Sequence, residues 1–197
     1  MPDAVAPRPA GRWVLINGSP RADGDTARMT QTFLQACGQP EVYRVDCFAR
    51  PILPCDDCRY CHTHAGCAKR DMDEIYRRIE QADRLVFVSP VYHGGFPAPM
   101  KALIDRLQCY WAARFVRGES PAAFPPKQAV LLSAGGAPGD AGGKALAEQL
   151  RPPLTVLHAA LAGTVHLADT DRRPFSAGDE AAVIRLAKQF LFQNNIL

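Results

Sequence analysis

Apolar runs recur along the chain, and each stops at a turn signal. Trp13-Val14-Leu15-Ile16 runs into Asn17-Gly18-Ser19-Pro20. Leu85-Val86-Phe87-Val88-Ser89 stops at Pro90, and Ala129-Val130-Leu131-Leu132-Ser133 stops at Ala134-Gly135-Gly136. Val42-Tyr43-Arg44-Val45-Asp46 alternates apolar and polar, and Thr164-Val165-His166-Leu167 is a further short run. Runs this short, bounded by Gly and Pro, read as strands. Between them the spacing turns helical: Asp25-Thr26 opens a helix through Leu34, and Ile75, Ile79 and Ala82 mark another. Met100, Leu103, Ile104 and Leu107 follow, then Gly143 to Leu150, resuming after Pro152-Pro153, and finally Glu180 to Phe192. Strands that alternate with helices predict a parallel sheet covered on both faces. Five such strands predict a doubly wound α/β sheet of order 2-1-3-4-5.

Length and composition fit that picture. The chain has 197 residues, 47% of them hydrophobic, and a formal net charge of +3. Residues 12–197 read as a single domain, and the Pro- and Ala-rich residues 1–11 as a flexible tail. Lys and Arg are scattered, without the basic run or aromatic interleaving of a nucleic-acid binder. No apolar window is long enough for a membrane span, and no signal peptide is expected. The reading is therefore cytoplasmic, where clustered cysteines favour metal or redox roles over a disulfide framework. The connection from Tyr110 to Lys127 is long and Pro-rich, suited to a subunit interface or a ligand cover.

Ligands of doubly wound sheets bind beyond the carboxyl ends of the strands. The first strand ends in Gly18-Ser19-Pro20-Arg21-Ala22-Asp23-Gly24-Asp25-Thr26. Hydroxyls of Ser19 and Thr26, helix-start N–H groups and Arg21 suit a dianionic phosphate. This is neither a dinucleotide fingerprint nor a Walker loop; a plain Ser-Pro turn is the alternative. The loops Ser89-Pro90-Val91-Tyr92-His93-Gly94-Gly95 and Ser133-Ala134-Gly135-Gly136 end two further strands. Their small residues let backbone approach a flat ring closely. His93 fits a ligand donor or a solvent-facing residue. Lys101, Asp105 and Arg106 read as an exposed helix face, and Cys37, Cys47 and Cys109 as core thiols.

GSPRADGDT, SPVYHGGFPAPMKALIDR and SAGG together resemble the flavin-binding segments of the flavodoxin-like NADPH-dependent FMN reductase family. The resemblance runs from about Trp13 to the end of the chain. It implies an FMN phosphate on Ser19, Arg21, Asp25 and Thr26, with Pro90, Val91, Tyr92 and Gly94 against the isoalloxazine. Ser133, Ala134, Gly135 and Gly136 would lie on another side. Asp25 stands where the family more often has Asn or Ser. A carboxylate repels a phosphate, so Asp25 is expected to cap the helix. The flavin carries the chemistry, and no side chain is singled out as catalytic.

Cys55, Cys58, Cys61 and Cys67 are spaced C-x2-C-x2-C-x5-C. Thiolates at such steps are iron–sulfur ligands, and zinc also takes four thiolates. The chain resembles the iron–sulfur flavoprotein branch further, although Arg70 replaces an expected Asp. That resemblance implies a [4Fe–4S] cluster on these cysteines, exchanging electrons with FMN. Electrons would arrive singly, for example from a ferredoxin, and leave to a small acceptor such as a quinone or oxygen. Two other readings stay open: a flavin-only reductase using NAD(P)H, with free thiols, and a zinc-bearing, non-catalytic module. The family resemblance also implies a homodimer or homotetramer.

Overall fold

The computed structural model describes residues 12–119 and 125–192. The expected residue 1–11 tail lies outside them, as does part of the Tyr110–Lys127 connection. The elements are β1 (Trp13–Asn17), α1 (Asp25–Ala36), β2 (Val42–Asp46), α2 (Tyr60–Thr63), α3 (Asp73–Gln81) and β3 (Arg84–Pro90). They continue with α4 (Ala98–Arg106), α5 (Gln108–Phe115), β4 (Lys127–Ala134), α6 (Ala141–Val156), β5 (Ala159–Leu167) and α7 (Ala177–Phe192). All strand pairs are parallel, in the order β2-β1-β3-β4-β5.

Alternate residues of each central strand serve opposite faces. Val14, Ile16, Leu85, Phe87, Ala129 and Leu131 face α3, α4 and α6, where Ile75, Leu103 and Leu150 meet them. Trp13, Leu15, Val86, Val88, Val130 and Leu132 face α1 and α7, against Phe33 and Phe190. Burial on both faces explains why β1, β3 and β4 read as continuous apolar runs.

Three details depart from the sequence pattern. The helix α6 does not break at Pro152-Pro153 but runs through both prolines. Leu146, Leu150 and Leu154 form one buried stripe, and keeping it in line outweighs the lost N–H donors. The strand β5 begins at Ala159, earlier than the apolar run suggests, with a bulge opposite Ala129/Val130. It is a half-exposed edge strand, and its start, Ala159-Ala160-Leu161-Ala162-Gly163, carries little strand signature. Part of the long connection after Tyr110 is helical, in α5.

Candidate flavin and cysteine sites

The carboxyl ends of β1, β3 and β4 open into one cavity of about 260 Å³. Asn17 builds its first wall. Its amide Nδ2 donates to Asp46 Oδ1 at 2.7 Å and to the Ser19 carbonyl at 3.2 Å, while its Oδ1 accepts from the Ser19 N–H. The loop is thereby tied to the end of β2. Ser19 Oγ then accepts from the Arg21 N–H at 3.3 Å. Gly24 takes the N-cap position in extended geometry; its carbonyl accepts from the Ala27 and Arg28 N–H groups, while those of Asp25 and Thr26 lie outside the helical ladder. Thr26 is buried at this mouth. Asp25 makes no side-chain cap hydrogen bond, contrary to the expected cap. As a first-turn carboxylate it still favours the helix dipole.

Pro90, Val91 and Tyr92 bring β3 into the cavity, and Ala134, Gly135 and Gly136 bring β4. Tyr92 and Gly95 exchange both backbone hydrogen bonds at 2.9 Å, closing a turn with positive φ at His93 and Gly94. Positive φ at both central positions is the requirement of a type I′ turn, which Gly94 meets without strain. Tyr92 is left exposed at the rim. The exposed Asp171 carboxylate lies over Gly136: a Cβ added there would sit 2.1 Å from Asp171 Oδ2 and the side chain would have to swing away.

Of the expected flavin residues, Ser19, Arg21, Asp25, Thr26, Pro90, Val91, Tyr92, Ala134, Gly135 and Gly136 line this cavity. Two do not. Ser133 is fully buried beneath it, its hydroxyl 3.0 Å from His166 Nδ1. Gly94 sits in the turn, its carbonyl accepting from Gln149 Nε2. Thr170 and Asp171 join the lining from beyond β5, where no sequence pattern marked them. The residues fit FMN: a helix start, hydroxyls and Arg21 at one end, and close-approaching backbone at the other.

The cysteine loop follows the carboxyl end of β2, at the same end of the parallel sheet. Cys55, Cys58, Cys61 and Cys67 line a second cavity together with Lys69, Arg106 and Cys109. Asp57 and Arg59 adopt positive φ, at 51° and 58°, bending the chain between the cysteines. Non-glycine residues hold that conformation at a cost of about 1–3 kcal/mol each, and such strain clusters at ligand sites. Burial pushes the Cys61 thiol up, and the other three sulfurs add to the shift. Cationic iron would relieve both effects. Among the described residues no His, Cys, Asp or Glu side chains are grouped as ligands of one metal ion. A cubane cluster asks something different, one thiolate per iron corner. Of the two histidines, His64 stays outside, stacked on Tyr60, whereas His62 lines the cavity and lies near Trp111.

The expected exposed face of α4 needs correction. Lys101 and Asp105 do pair there, but Arg106 is 1% exposed. Burial alone would push its guanidinium down; Tyr76, Asp71 and the Cys67 sulfur outweigh that and hold it charged. Of the other thiols, Cys47 and Cys109 are buried as expected, and burial pushes both up to about 12. Cys37 is only half-buried, and burial pushes it up to about 11.

A model of NADPH-dependent FMN reductases matches residues 12–171, which span both sites. The chain belongs to this family. It is 34% identical over 94 residues to an iron–sulfur flavoprotein of Methanocaldococcus jannaschii, covering 46% of this chain and 49% of that one. It is likewise 34% identical over 109 residues to an iron–sulfur flavoprotein of Archaeoglobus fulgidus, covering 54% and 50%. The matched stretches thus cover about half the length of these curated relatives. Among solved structures, an NAD(P)H:quinone oxidoreductase from Methanothermobacter marburgensis aligns with a TM-score of 0.67 at 18% identity. That alignment covers 96% of this chain and 100% of that one. An azoreductase from Bacillus anthracis aligns at 0.66 and 17%, covering 92% and 100%. Likeness at this identity establishes the shared flavodoxin-like fold. Among the described residues no helix is long and apolar enough to cross a membrane.

Proposed function

We propose that the chain is an FMN-dependent oxidoreductase whose four-cysteine loop holds a [4Fe–4S] cluster. The observation that carries this reading is the convergence of Cys55, Cys58, Cys61 and Cys67 on one cavity beside a buried cation, on a loop that follows β2 as the expected phosphate loop follows the neighbouring parallel strand β1. The names of the relatives support it. When bound, the cluster supplies one-electron exchange and FMN links it to two-electron chemistry. The protein supplies position. Ser19, Thr26, Arg21 and the α1 N-terminus hold the phosphate; Pro90 to Tyr92 and Ala134 to Gly136 flank the ring. The helix α4 starts just after the Tyr92 turn and ends at Arg106 in the cysteine cavity, so one rigid element, about 12 Å long, orients both sites.

Electrons would enter singly at the cysteine site from a ferredoxin-like donor, or as a pair by hydride transfer from NAD(P)H to the flavin, and leave to a small acceptor such as a quinone. Exposed Trp111, Phe115 and Val116 beside the cysteine loop suit a homodimer or homotetramer contact in a cytoplasmic protein. The test is iron, sulfide and flavin analysis of protein purified without oxygen. About four iron and four sulfide per chain, with one FMN, supports the reading. A yellow, iron-free protein bleached by NADPH supports a flavin-only reductase instead, and a colourless zinc protein overturns both.

A further inference from the structure

Arg106 closes α4, away from the phosphate loop, and is among the largest fully buried side chains. Its hydrogen bonds run to both feet of the cysteine loop. Nη1 donates to the Leu53 carbonyl at 2.8 Å and to Asp71 Oδ1 at 3.0 Å; Nη2 donates to the Lys69 carbonyl at 2.8 Å. Leu53 lies just before Cys55, and Lys69 just after Cys67. Asp71 completes the clamp, its Oδ2 accepting from the Leu53 N–H at 2.9 Å. One nitrogen is left with no partner. Arg106 Nε is buried without an acceptor among the described residues, on a side chain that lines the cavity of the four sulfurs. A buried, charged N–H left unmet is costly, so the position is built for an acceptor that the protein itself does not provide.

We propose that Arg106 is the positioning residue and counter-charge of the cysteine site. Its Nη atoms pin the two ends of the loop, and its Nε–H donates to a sulfur of the cluster the cysteines hold. The inference rests on the cluster reading above. A cluster carried by four thiolates is an anion, and each added electron makes it more so. A buried cation with a hydrogen bond to sulfur therefore stabilises the reduced state more than the oxidised state, and raises the reduction potential.

The experiment uses the full chain reconstituted with iron and sulfide without oxygen. Iron and sulfide are counted, and the cluster is titrated by electron paramagnetic resonance against a potential scale. Arg106→Gln is expected to lose iron to a chelator faster than the parent, because the clamp is gone, and the cluster that forms should have its reduction equilibrium lowered at least about tenfold, a shift of 59 mV for one electron. Arg106→Lys restores the charge but not the fork, and should fall between Arg106→Gln and the parent. Asp71→Asn loosens the clamp but leaves Nε in place. It should lose iron faster to a chelator, with a smaller change in potential than Arg106→Gln. An Arg106→Gln protein with full iron at the parent potential overturns the proposal. If Arg106→Gln does not fold, an Arg106→Lys protein at the parent potential overturns it equally. If the parent protein takes up neither iron nor sulfide, the cluster reading itself has failed, and the proposal falls with it.

Discussion

Replacing Gly18 by alanine tests whether the phosphate loop is held by close packing on α4. The Gly18 N–H donates to the Val88 carbonyl at 2.8 Å, fixing the end of β1 beside β3. A Cβ built there would lie 2.3 Å from Met100 Sδ, 3.0 Å from Met100 Cβ and 3.2 Å from Met100 Cγ. The thioether can swing away, because methionine is adaptable. The Met100 Cβ cannot, because it is fixed to α4 and fully buried. Ordinary carbon contacts begin near 3.5 Å, so loop and helix must part by about half an ångström. Overpacking of this kind costs about 1–3 kcal/mol. For a chain of this size that is a drop of roughly 2–12 °C in Tm. The assay is thermal unfolding by circular dichroism, paired with FMN binding followed by flavin fluorescence. Both stability and FMN affinity should fall, because the displaced segment carries Ser19 and Arg21. Met100→Ala alone should cost about 2–5 kcal/mol through the cavity it leaves. The double variant should cost less than the sum by about 1 kcal/mol or more, since the new methyl group fills part of that cavity. Additivity within about 0.5 kcal/mol would refute the packing explanation, as would a Gly18→Ala protein as stable as its parent.

Other expectations follow from the same geometry. Arg21 lines the end of the first cavity where the phosphate is expected, so Arg21→Ala should weaken FMN binding by about 1.5–3 kcal/mol, roughly 10- to 150-fold in Kd; an unchanged Kd by fluorescence titration would remove Arg21 from the site. Cys58→Ser should abolish the cluster absorbance and leave FMN bound, because the two cavities share no lining residue; parallel loss of FMN would show that the sites are not separable. Burial pushes the Lys127 ammonium down to about 8, below the unfolded value of about 10.4. Between those values the unfolded chain holds a proton that the folded chain has released, so this group makes stability rise with pH. The buried thiols of Cys47 and Cys109 act oppositely, losing stability above the unfolded thiol pKa. The contribution is therefore read as a difference: denaturant unfolding of Lys127→Met against the parent should show the rise lost between pH 8 and 10, and identical slopes would contradict it.

The sequence by itself determined the doubly wound sheet and its order. The strands β1, β3 and β4 are buried on both faces, and that burial writes a continuous apolar run no helix shares. Ten of the twelve residues expected at the flavin line one cavity, because loops at the carboxyl ends of strands sit next to turn residues that are legible one at a time. The four cysteines were legible for the same reason: their spacing is local. Tertiary structure decided what depends on distant partners. Arg106 looks, from the charged Lys101 and Asp105 before it, like part of an exposed charged face; only the arrival of Leu53, Lys69 and Asp71 turns it inward. Thr170 and Asp171 reach the flavin cavity because β5 pairs with β4, and Pro152-Pro153 stay helical because a buried leucine stripe continues beneath them. Local pattern records which side of its own element a residue occupies. Which distant group meets it there is set by chain segments far apart in sequence, and that information exists only in the folded protein.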